Sequence, residues 1–387
     1  MRRRRTIGGL VAAGAIGLAV WSAWPYVRTA AFLADMAGAA PAWRRWLPVR
    51  SAEVRTRDLE VPTRDGAIPA RLYSPAHAQA TPVVVFPGIH AGGVDEPRLD
   101  LFARRLAATG LTVLSVPLPD LRVFRITPRS TDMIEDALVW MSDRARAPSG
   151  RVGAVGVSFS GGLVLVAAGR PSLRGRLAAV VSLGGHADLP RTMRYLCTGE
   201  LPDGSRRPPH EYGAAVILVG AAPRLVPPAQ VDALERSVVA WLTASSVASN
   251  DEPSAEKLFA HVREESAQLP EPSRTLMHEV DTGDVGTLGP ALLPYVDELG
   301  TAPALSPDRS PITSAPVFLL HGAEDNVIPP TEMPLLAADL RARGNPDVTS
   351  LLTPILTHAT LQPHVGAADA WALVRFWRKV FSTAVLP

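Results

Sequence analysis

The stretch GVSFSGG, residues 156 to 162, has the composition of a nucleophile held on a tight turn. Ser158 has Gly156 two positions before it and a glycine pair shortly after it, between two apolar runs. A turn that presents a serine between a strand and a helix needs this lack of side-chain bulk, because neighbouring backbone must come close. Ser160 stands where the pattern G-x-S-x-G has its last glycine. The stretch predicts Ser158 as a catalytic nucleophile, with Ser160 as a departure from the pattern.

An acid and a base for such a serine follow two later apolar runs. The first run leads into HGAEDNVIPP, which holds Asp325. A carboxylate there can accept the N–H of a histidine, fix its tautomer and stabilise the imidazolium that forms during attack. The second run leads into LTHATLQPH, which places His358 directly after a predicted strand. Asp325 and His358 are the candidate acid and base, and Glu324 and His364 are their alternatives.

Backbone donors and substrate contacts are predicted at two further strand ends. The stretch VVVFPGIHAGG can present the amide of Ile89 to developing negative charge, and the amide of Phe159 directly follows the serine. These two amides are the candidate oxyanion donors. His90 and His186 also follow strands and are the candidate substrate contacts. The alternative for His90 is an exposed ring, and the alternative for His186 is a packed or capping one.

Short apolar runs alternate with amphipathic segments from about Arg50 onwards. A hairpin opens the series, with VRTRDLEVP and AIPARLYSP on either side of the TRDG turn. Strands that alternate with helices predict a parallel, doubly wound sheet. Ligands of such sheets collect at the carboxyl ends of the strands. Because every candidate residue follows a strand, this fold would bring the candidates to one edge of the sheet.

The alternation stops between Leu189 and Pro311, where helical segments and Pro-rich joints follow one another. A helical stretch of this length between two strands of one sheet cannot belong to the core of the sheet. We therefore predict that it lies over one edge or over the top as a cap. The sequence divides accordingly into a core in two parts, residues 51–188 and 312–387, and a helical cap, residues 189–311.

The N-terminus predicts a membrane anchor. Arg2 to Arg5 precede an uncharged stretch from Thr6 to Val27, which is long enough to cross a bilayer and has aromatic residues at its far end. The arginines predict that the start of the chain stays in the cytoplasm and that the catalytic domain is extracytoplasmic. The alternative is a cleaved signal peptide and a secreted or periplasmic protein. Residues 1–30 are assigned to this segment and residues 31–50 to a linker.

Composition narrows the class of function. A hydrophobic fraction of 47% with 20% charged residues is typical of a folded globular protein, and a net charge of +2 gives no indication of nucleic-acid binding. Cys197 is the single cysteine, which excludes an intrachain disulfide. His210 lacks the second histidine of a zincin helix, and the sequence has no P-loop. Neither a metal nor a cofactor is predicted.

The order donor loop, Ser158, insert, Asp325, His358 resembles that of the α/β-hydrolase superfamily. The resemblance covers about Glu53 to Phe381, and TRDGAIPARLYSP and HGAEDNVIP look most like the dienelactone-hydrolase and esterase/peptidase branches. It implies an α/β fold with an eight-stranded, mostly parallel sheet flanked by helices and a helical cap between the sixth and seventh strands. It also implies that Ser158, Asp325 and His358 form a catalytic triad. The oxyanion would then be bound by the amides of Ile89 and Phe159. The serine in place of the last glycine, and PGIH in the donor loop, depart from the superfamily pattern and leave the branch open.

These features predict a serine hydrolase of the carboxylesterase type that works through an acyl-enzyme. Its substrate would be a small molecule with an apolar acyl or alcohol group, because the predicted cap is rich in Leu, Val and Ala. An acyltransferase that uses the same serine is the first alternative. It would differ from a hydrolase in protecting the acyl-enzyme from water. A non-catalytic binding protein with a hydrolase fold is the second.

Overall fold

The computed structural model describes residues 22–39, 52–76, 81–144, 150–248, 251–357 and 366–384. The strands are β1 Val54–Thr63, β2 Gly66–Pro75, β3 Val83–Phe86, β4 Val113–Ser115, β5 Val152–Val157, β6 Leu177–Leu183, β7 Val317–Gly322 and β8 Val348–Thr353. They form one sheet in the order β1-β2-β4-β3-β5-β6-β7-β8. β2 is antiparallel to both of its neighbours, and all other neighbouring strands are parallel. The predicted eight-stranded, mostly parallel sheet is confirmed.

Helices cover both faces of this sheet. They are α1 (22–36), α2 Pro97–Ala108, α3 Pro119–Arg122, α4 Pro128–Arg144, α5 Phe159–Ala168, α6 Leu189–Thr198, α7 Tyr212–Leu225, α8 Pro228–Ala248, α9 Glu252–Ser266, α10 Ser273–Thr282, α11 Val285–Leu292, α12 Val296–Gly300, α13 Glu332–Ala342 and α14 Ala367–Ala384. Successive strand side chains point to opposite faces. Val83 and Val85 therefore join a core with α1, α2 and α14, whereas Val84 and Phe86 join a second core with α4, α5 and α13.

The chain between β6 and β7, residues 184–316, carries α6 to α12, and we call it the insert. Within the described residues of this range, no strand is added to the sheet. The insert packs on the second core through apolar side chains of α6, α7 and α8. Helices therefore lie between the sixth and seventh strands of the chain. Their role as a separate cap with the bounds 189–311 stays a prediction.

Helix α1 packs on the sheet layer that holds α14. The ring of Phe32 is 4% exposed and lies 5.3 Å from the rings of Trp377 and Phe381. Residues 31–36, which the sequence assigned to a linker, continue this helix, and Ala31 and Phe32 are buried. The boundary between a segment 1–30 and a linker 31–50 stays a prediction. In the parts of the chain that the structure describes, no helix is both long and apolar enough to span a bilayer. Most of the predicted anchor, residues 1–21, lies outside them.

Candidate active site

Ser158 is the single residue between β5 and α5, and its backbone is strained. Its φ of 57° and ψ of −132° lie in a region that residues with a Cβ rarely adopt. The neighbouring glycines make this turn possible. A Cβ on Gly156 would lie 2.9 Å from the Cα of Gly161, and a Cβ on Gly161 would lie 2.7 Å from the Oγ of Ser182. The turn therefore joins strand to helix sharply, in the shape expected of a nucleophile elbow. The role of Ser158 as a nucleophile stays a prediction.

Ser160, which stands in place of the last glycine of the pattern, holds the turn through hydrogen bonds of its side chain. Its side chain is fully buried, and its Oγ accepts from the amide of Val157 at 2.9 Å. The hydroxyl proton has two acceptors in reach, the carbonyl of Phe86 at 2.6 Å and that of Val157 at 2.8 Å, and the shorter distance is to Phe86. Phe86 and Gly156 are the last paired residues of β3 and β5. The hydroxyl therefore bridges the two chains at the point where their ladder ends. This places the end of β3, and the loop after it, in a fixed position beside the serine turn.

The loop after β3 passes directly over the serine. A Cβ on Gly88 would lie 2.8 Å from the Cβ and 3.4 Å from the Oγ of Ser158. Ile89 follows Gly88 in this loop, and Phe159 is the first residue of α5, where helix amides have no partner within the helix. Both predicted oxyanion residues are thus neighbours of the serine or of the residue packed on it. Their role as donors stays a prediction.

Asp325 lies in the loop after β7 and is 1% exposed. Its Oδ1 accepts hydrogen bonds from the amides of Val327 at 2.9 Å and Ile328 at 3.0 Å. Its Oδ2 lies 3.5 Å from the Nε2 of His321, which also lies 2.9 Å from the carbonyl of Ile328. These contacts hold the carboxylate in one orientation at the carboxyl end of the sheet.

Glu324, the alternative acid, points away from this position. Its side chain is 66% exposed and its Oε2 pairs with Nη2 of Arg207 at 3.5 Å. The turn at the end of β6 packs on Asp325 instead, since a Cβ on Gly184 would lie 3.5 Å from the Oδ2 of Asp325. Gly185, the next residue, packs on the backbone of Gly161 and the hydroxyl of Ser182. One short turn therefore touches both the serine elbow and Asp325.

The candidate bases His358 and His364 lie outside the described residues. The described chain after β8 ends at Thr357. Its last two residues pass close to the end of β7: a Cβ on Gly322 would lie 3.0 Å from the carbonyl carbon of Leu356 and 3.3 Å from the carbonyl oxygen of Thr357. Gly322 is three positions before Asp325 in the sequence. The segment that leads into His358 thus runs beside the strand that leads into the acid.

The predicted contact of His186 with substrate is not supported, because its side chain has no exposed area. Its Nε2 lies 2.8 Å from the carbonyl oxygen of Leu305, and its ring centre is 5.8 Å from that of Phe159. A Cβ on Gly162 would lie 2.6 Å from its Nδ1. Burial lowers the pKa of this imidazole. His186 is therefore a packed histidine that supports the first turn of α5.

His90 is half-buried in the loop after β3. Its Nδ1 accepts the amide of Gly92 at 3.0 Å, which places the proton of the neutral ring on Nε2. Burial lowers the pKa of His90, while the carboxylate of Glu96 and the backbone of Ser246 in α8 act in the opposite direction. The ring thus belongs to the donor loop and is held there by the amide of Gly92. Its contact with substrate stays a prediction.

The insert contacts two loops at the carboxyl end of the sheet. One is the loop after β7, residues 323–331, which holds Asp325 and which we call the acid loop; the other is the loop after β3, residues 87–96, which holds Ile89 and which we call the donor loop. At the acid loop, the amide of His210 donates to the carbonyl of Asn326 at 2.8 Å, and the hydroxyl of Tyr195 donates to the same carbonyl at 3.3 Å. At the donor loop, Ile89 and Ala91 pack against the core cluster to which α7 and α8 also contribute. Because the two loops follow β7 and β3, the insert extends along the carboxyl ends of the intervening strands.

Glu332, the first residue of α13, is a site-supporting residue that the sequence did not indicate. It is fully buried, and its Oε2 accepts the amides of Ala187 at 2.8 Å and Asp188 at 3.0 Å. Arg191 donates to its Oε1 at 2.6 Å. These bonds tie the acid loop to the start of the insert. The only signal in the sequence was an acidic residue in the first turn of a predicted helix, which is ordinary at such a position.

Neither a cofactor nor a metal was predicted from the sequence. Among the described residues, no group of three or more His, Cys, Asp or Glu side chains is arranged to hold a metal ion. Cys197 is buried, and burial raises the pKa of its thiol to about 12. A thiol of this kind stays protonated at neutral pH and is a poor nucleophile.

No protein-family model matches the chain, and no curated protein matches it. Among solved structures, it is similar to a Pyrobaculum calidifontis esterase, with 17% identity, 87% of this chain and 88% of that chain covered, and a TM-score of 0.46. A thermophilic carboxylesterase from a metagenomic library has 18% identity, with 88% and 92% covered and a TM-score of 0.48. A Pyrococcus horikoshii acylaminoacyl peptidase has 14% identity, with 89% of this chain and 44% of that chain covered and a TM-score of 0.45. Three features of this chain itself indicate the α/β-hydrolase fold. They are the strand order of the sheet, the turn at Ser158 and the insert between β6 and β7.

Proposed function

We propose that the protein is a serine hydrolase that cleaves carboxylic esters through an acyl-enzyme on Ser158. The observation that carries the proposal is the strained turn itself: a serine with a φ of 57° stands between a buried strand and a helix, with the Gly88 loop packed on its side chain. A non-glycine residue in this conformation costs about 1 to 3 kcal/mol and persists at functional sites. Asp325, buried and held by backbone amides, supports the proposal from the acid side.

In the proposed reaction, His358 removes the proton of the Ser158 hydroxyl as its Oγ attacks the ester carbonyl. The negative charge that forms on the carbonyl oxygen is stabilised by the amides of Ile89 and Phe159. The bond to the alcohol then breaks, and His358 gives its proton to the departing oxygen. Water attacks the acyl-enzyme by the same route, and the acid is released. Asp325 orients the imidazole and stabilises its charged form throughout.

A serine variant with a matched control tests this proposal. Ser158→Ala should lower the hydrolysis of p-nitrophenyl butyrate by a factor of about 10⁶, because the nucleophile is lost. Ser205→Ala removes an exposed serine of the insert and should leave the rate unchanged. A fluorophosphonate probe should label the wild type and the control but not Ser158→Ala. Folded wild-type protein that neither hydrolyses the ester nor binds the probe would overturn the proposal and favour a binding protein.

The base is tested by a second pair of variants. His358→Ala should lower the rate nearly as far as loss of the serine, because the two act as a unit, and His364→Ala should retain it. The reverse result would assign the base to His364. Asp325→Asn should lower kcat by a factor of about 10⁴ through the wrong histidine tautomer. Transfer of the butyryl group to added butanol, giving more butyl butyrate than butyric acid, would favour an acyltransferase.

We also propose that the N-terminal segment anchors the catalytic domain on the extracytoplasmic side of a membrane. Support comes from Arg2 to Arg5 followed by the uncharged stretch Thr6 to Val27. The full chain should remain in the membrane fraction after washing with high salt and carbonate. Recovery of a shortened chain from the soluble periplasm would instead favour a cleaved signal peptide.

A further inference from the structure

Arg207, a residue of the insert, binds the backbone of the acid loop. Its Nη1 donates to the carbonyl of Ala323 at 2.9 Å and makes a longer bond, at 3.4 Å, to the carbonyl of Asp325. Its Nη2 lies 3.5 Å from the Oε2 of Glu324. One guanidinium therefore contacts three consecutive residues of the acid loop, and the last of them is the candidate acid.

The acid loop is held from two sides. On the side of the sheet, the amide of Ala323 donates to the carbonyl of Thr353, the last residue of β8, at 2.9 Å. On the side of the insert, donors reach the carbonyls of the loop: besides the bonds of Arg207, the amide of His210 donates to the carbonyl of Asn326 at 2.8 Å. The course of the loop backbone thus depends on the insert as well as on the sheet.

The direction of the Asp325 carboxylate depends in turn on this backbone. Its Oδ1 accepts the amides of Val327 and Ile328, which belong to the same loop. Because the carboxylate is bonded to its own loop, a displacement of residues 323–325 would turn it away from its present direction. An acid that turns away no longer fixes the tautomer of the histidine base or stabilises the imidazolium.

A short turn after α6 presents Arg207 to the acid loop. Helix α6 is capped by Gly199, whose φ is 69°, and the amide of Arg207 donates to the carbonyl of Gly199 at 2.9 Å. Inside this turn the amide of Leu201 donates to the carbonyl of Ser205 at 2.9 Å. The chain from 199 to 207 therefore closes on the end of α6, which fixes where the guanidinium begins.

The bonds of Arg207 to the loop carbonyls matter more than its ion pair. The carboxylate of Glu324 is 66% exposed, and exposed ion pairs contribute little because water screens them. A hydrogen bond from a charged donor is stronger than one between neutral groups. The bond at 2.9 Å to the carbonyl of Ala323 is therefore the main link between Arg207 and the acid loop.

We propose that Arg207 is a positioning residue for the acid: its guanidinium holds the acid loop so that the carboxylate of Asp325 faces the histidine base. This inference rests on the proposed hydrolase function. It gives the insert a part in the reaction that requires no contact with the substrate. Loss of Arg207 should therefore lower kcat more than it changes KM, because the acid stabilises the transition state.

The test compares Arg207→Ala with Arg206→Ala, which removes the same charge from the exposed neighbour in the chain. Arg207→Ala should lower kcat for p-nitrophenyl butyrate by about 10- to 100-fold, since displacement of a positioned group by about 1 Å can cost about 100-fold. Arg206→Ala should keep the wild-type kcat. Labelling to completion with a fluorophosphonate gives the concentration of intact sites, so that kcat is corrected for unfolded protein. Arg207→Lys, which keeps the charge but cannot bond as many groups of the loop, should have an intermediate kcat, and it replaces Arg207→Ala if that variant does not fold.

Two further readings distinguish positioning from a general disturbance. In an Asp325→Asn background, Arg207→Ala should change kcat by less than about twofold, because residues that act as a unit are not additive. The acid limb of the pH profile of kcat/KM should move to lower pH in Arg207→Ala, since a carboxylate beside an imidazole raises its pKa. Loss of a guanidinium charge alone would move this limb to higher pH.

The outcomes separate this inference from the proposed function. A wild-type kcat in Arg207→Ala, an equal fall in Arg206→Ala, or a full further fall in the Asp325→Asn background would overturn the role of Arg207. A move of the acid limb to higher pH would do the same. Each of these results would leave a Ser158-dependent hydrolase in place, whereas absence of Ser158-dependent cleavage in the wild type would overturn both.

Discussion

Replacement of Ser160 offers a test of how the serine elbow is held. In Ser160→Ala the amide of Val157 loses its acceptor at 2.9 Å and the carbonyl of Phe86 loses its donor at 2.6 Å. Both groups are at the end of the β3 and β5 ladder, and Ser160 has no exposed area. The space left by one hydroxyl oxygen is too small for a water molecule to restore the bridge. The two backbone groups would therefore remain unsatisfied.

The magnitude follows from these two groups. A buried polar group without a partner costs about 1 to 3 kcal/mol, and an amide costs more than a carbonyl, which has a second lone pair. We expect Ser160→Ala to lower the free energy of unfolding by about 2 to 4 kcal/mol. Ser160→Gly should lower it by about 1 kcal/mol more, because glycine weakens the first turn of α5. The glycine of the usual pattern is thus expected to be the less stable residue in this chain.

Urea unfolding of the full-length protein, followed by tryptophan fluorescence, measures this effect. Ser254→Ala, which changes an exposed serine in the first turn of α9, should stay within about 0.5 kcal/mol of wild type. The rate of fluorophosphonate labelling should fall with Ser160→Ala, because Phe86 leads into the Ile89 loop and Val157 precedes the nucleophile. A Ser160→Gly variant with wild-type stability and labelling rate would refute the proposed bridge.

Two further predictions concern groups around the elbow and the insert. Gly162→Ala would place a Cβ 2.6 Å from Nδ1 of His186. It should lower the free energy of unfolding by about 1 to 3 kcal/mol and slow esterase turnover. Gly286→Ala, on the exposed side of α11, is the control, and equal melting temperatures for the two variants would count against the contact with His186. Burial, together with the carboxylate of Asp188, raises the pKa of Asp308 from 3.8 to about 6. The folded protein therefore favours the protonated form of Asp308, and stability should be lost as the pH rises from about 4 through about 6. Asp308→Asn should therefore be more stable than wild type at pH 8 by up to about 2 kcal/mol after solvent screening and should lose this advantage near pH 4; a difference that does not change with pH would contradict the cause.

Features that depend on neighbouring residues in the chain were predictable from the sequence alone. Alternating apolar runs and amphipathic segments are local patterns, and they predicted the strands, the flanking helices and the helical stretch between β6 and β7. The serine turn was predictable for the same reason, because Gly156 and the glycine pair after Ser160 lie within one turn of the nucleophile. Asp325 and His358 each follow an apolar run, and this local order was enough to predict that both lie at strand ends.

Contacts between residues far apart in the sequence depended on the tertiary structure. Asp325 and its neighbour Glu324 are equivalent in sequence, and only packing made the first buried and the second 66% exposed. His186 followed a strand like the other candidates, yet the insert covers it through the carbonyl of Leu305, 119 positions away. Apolar periodicity carries no information on such long-range contacts.

Ser160 and His210 show the same limit at the serine turn and in the insert. In the sequence Ser160 is a departure from a pattern, and its role emerged because β3 and β5 are neighbours in the sheet, which brings Phe86, 74 positions earlier, within 2.6 Å of its hydroxyl. His210 lies in the insert, where no strand sets its position. Only the docking of the insert on the loop after β7 brings the amide of His210 within 2.8 Å of the carbonyl of Asn326, since such long-range contacts are not encoded in a local pattern.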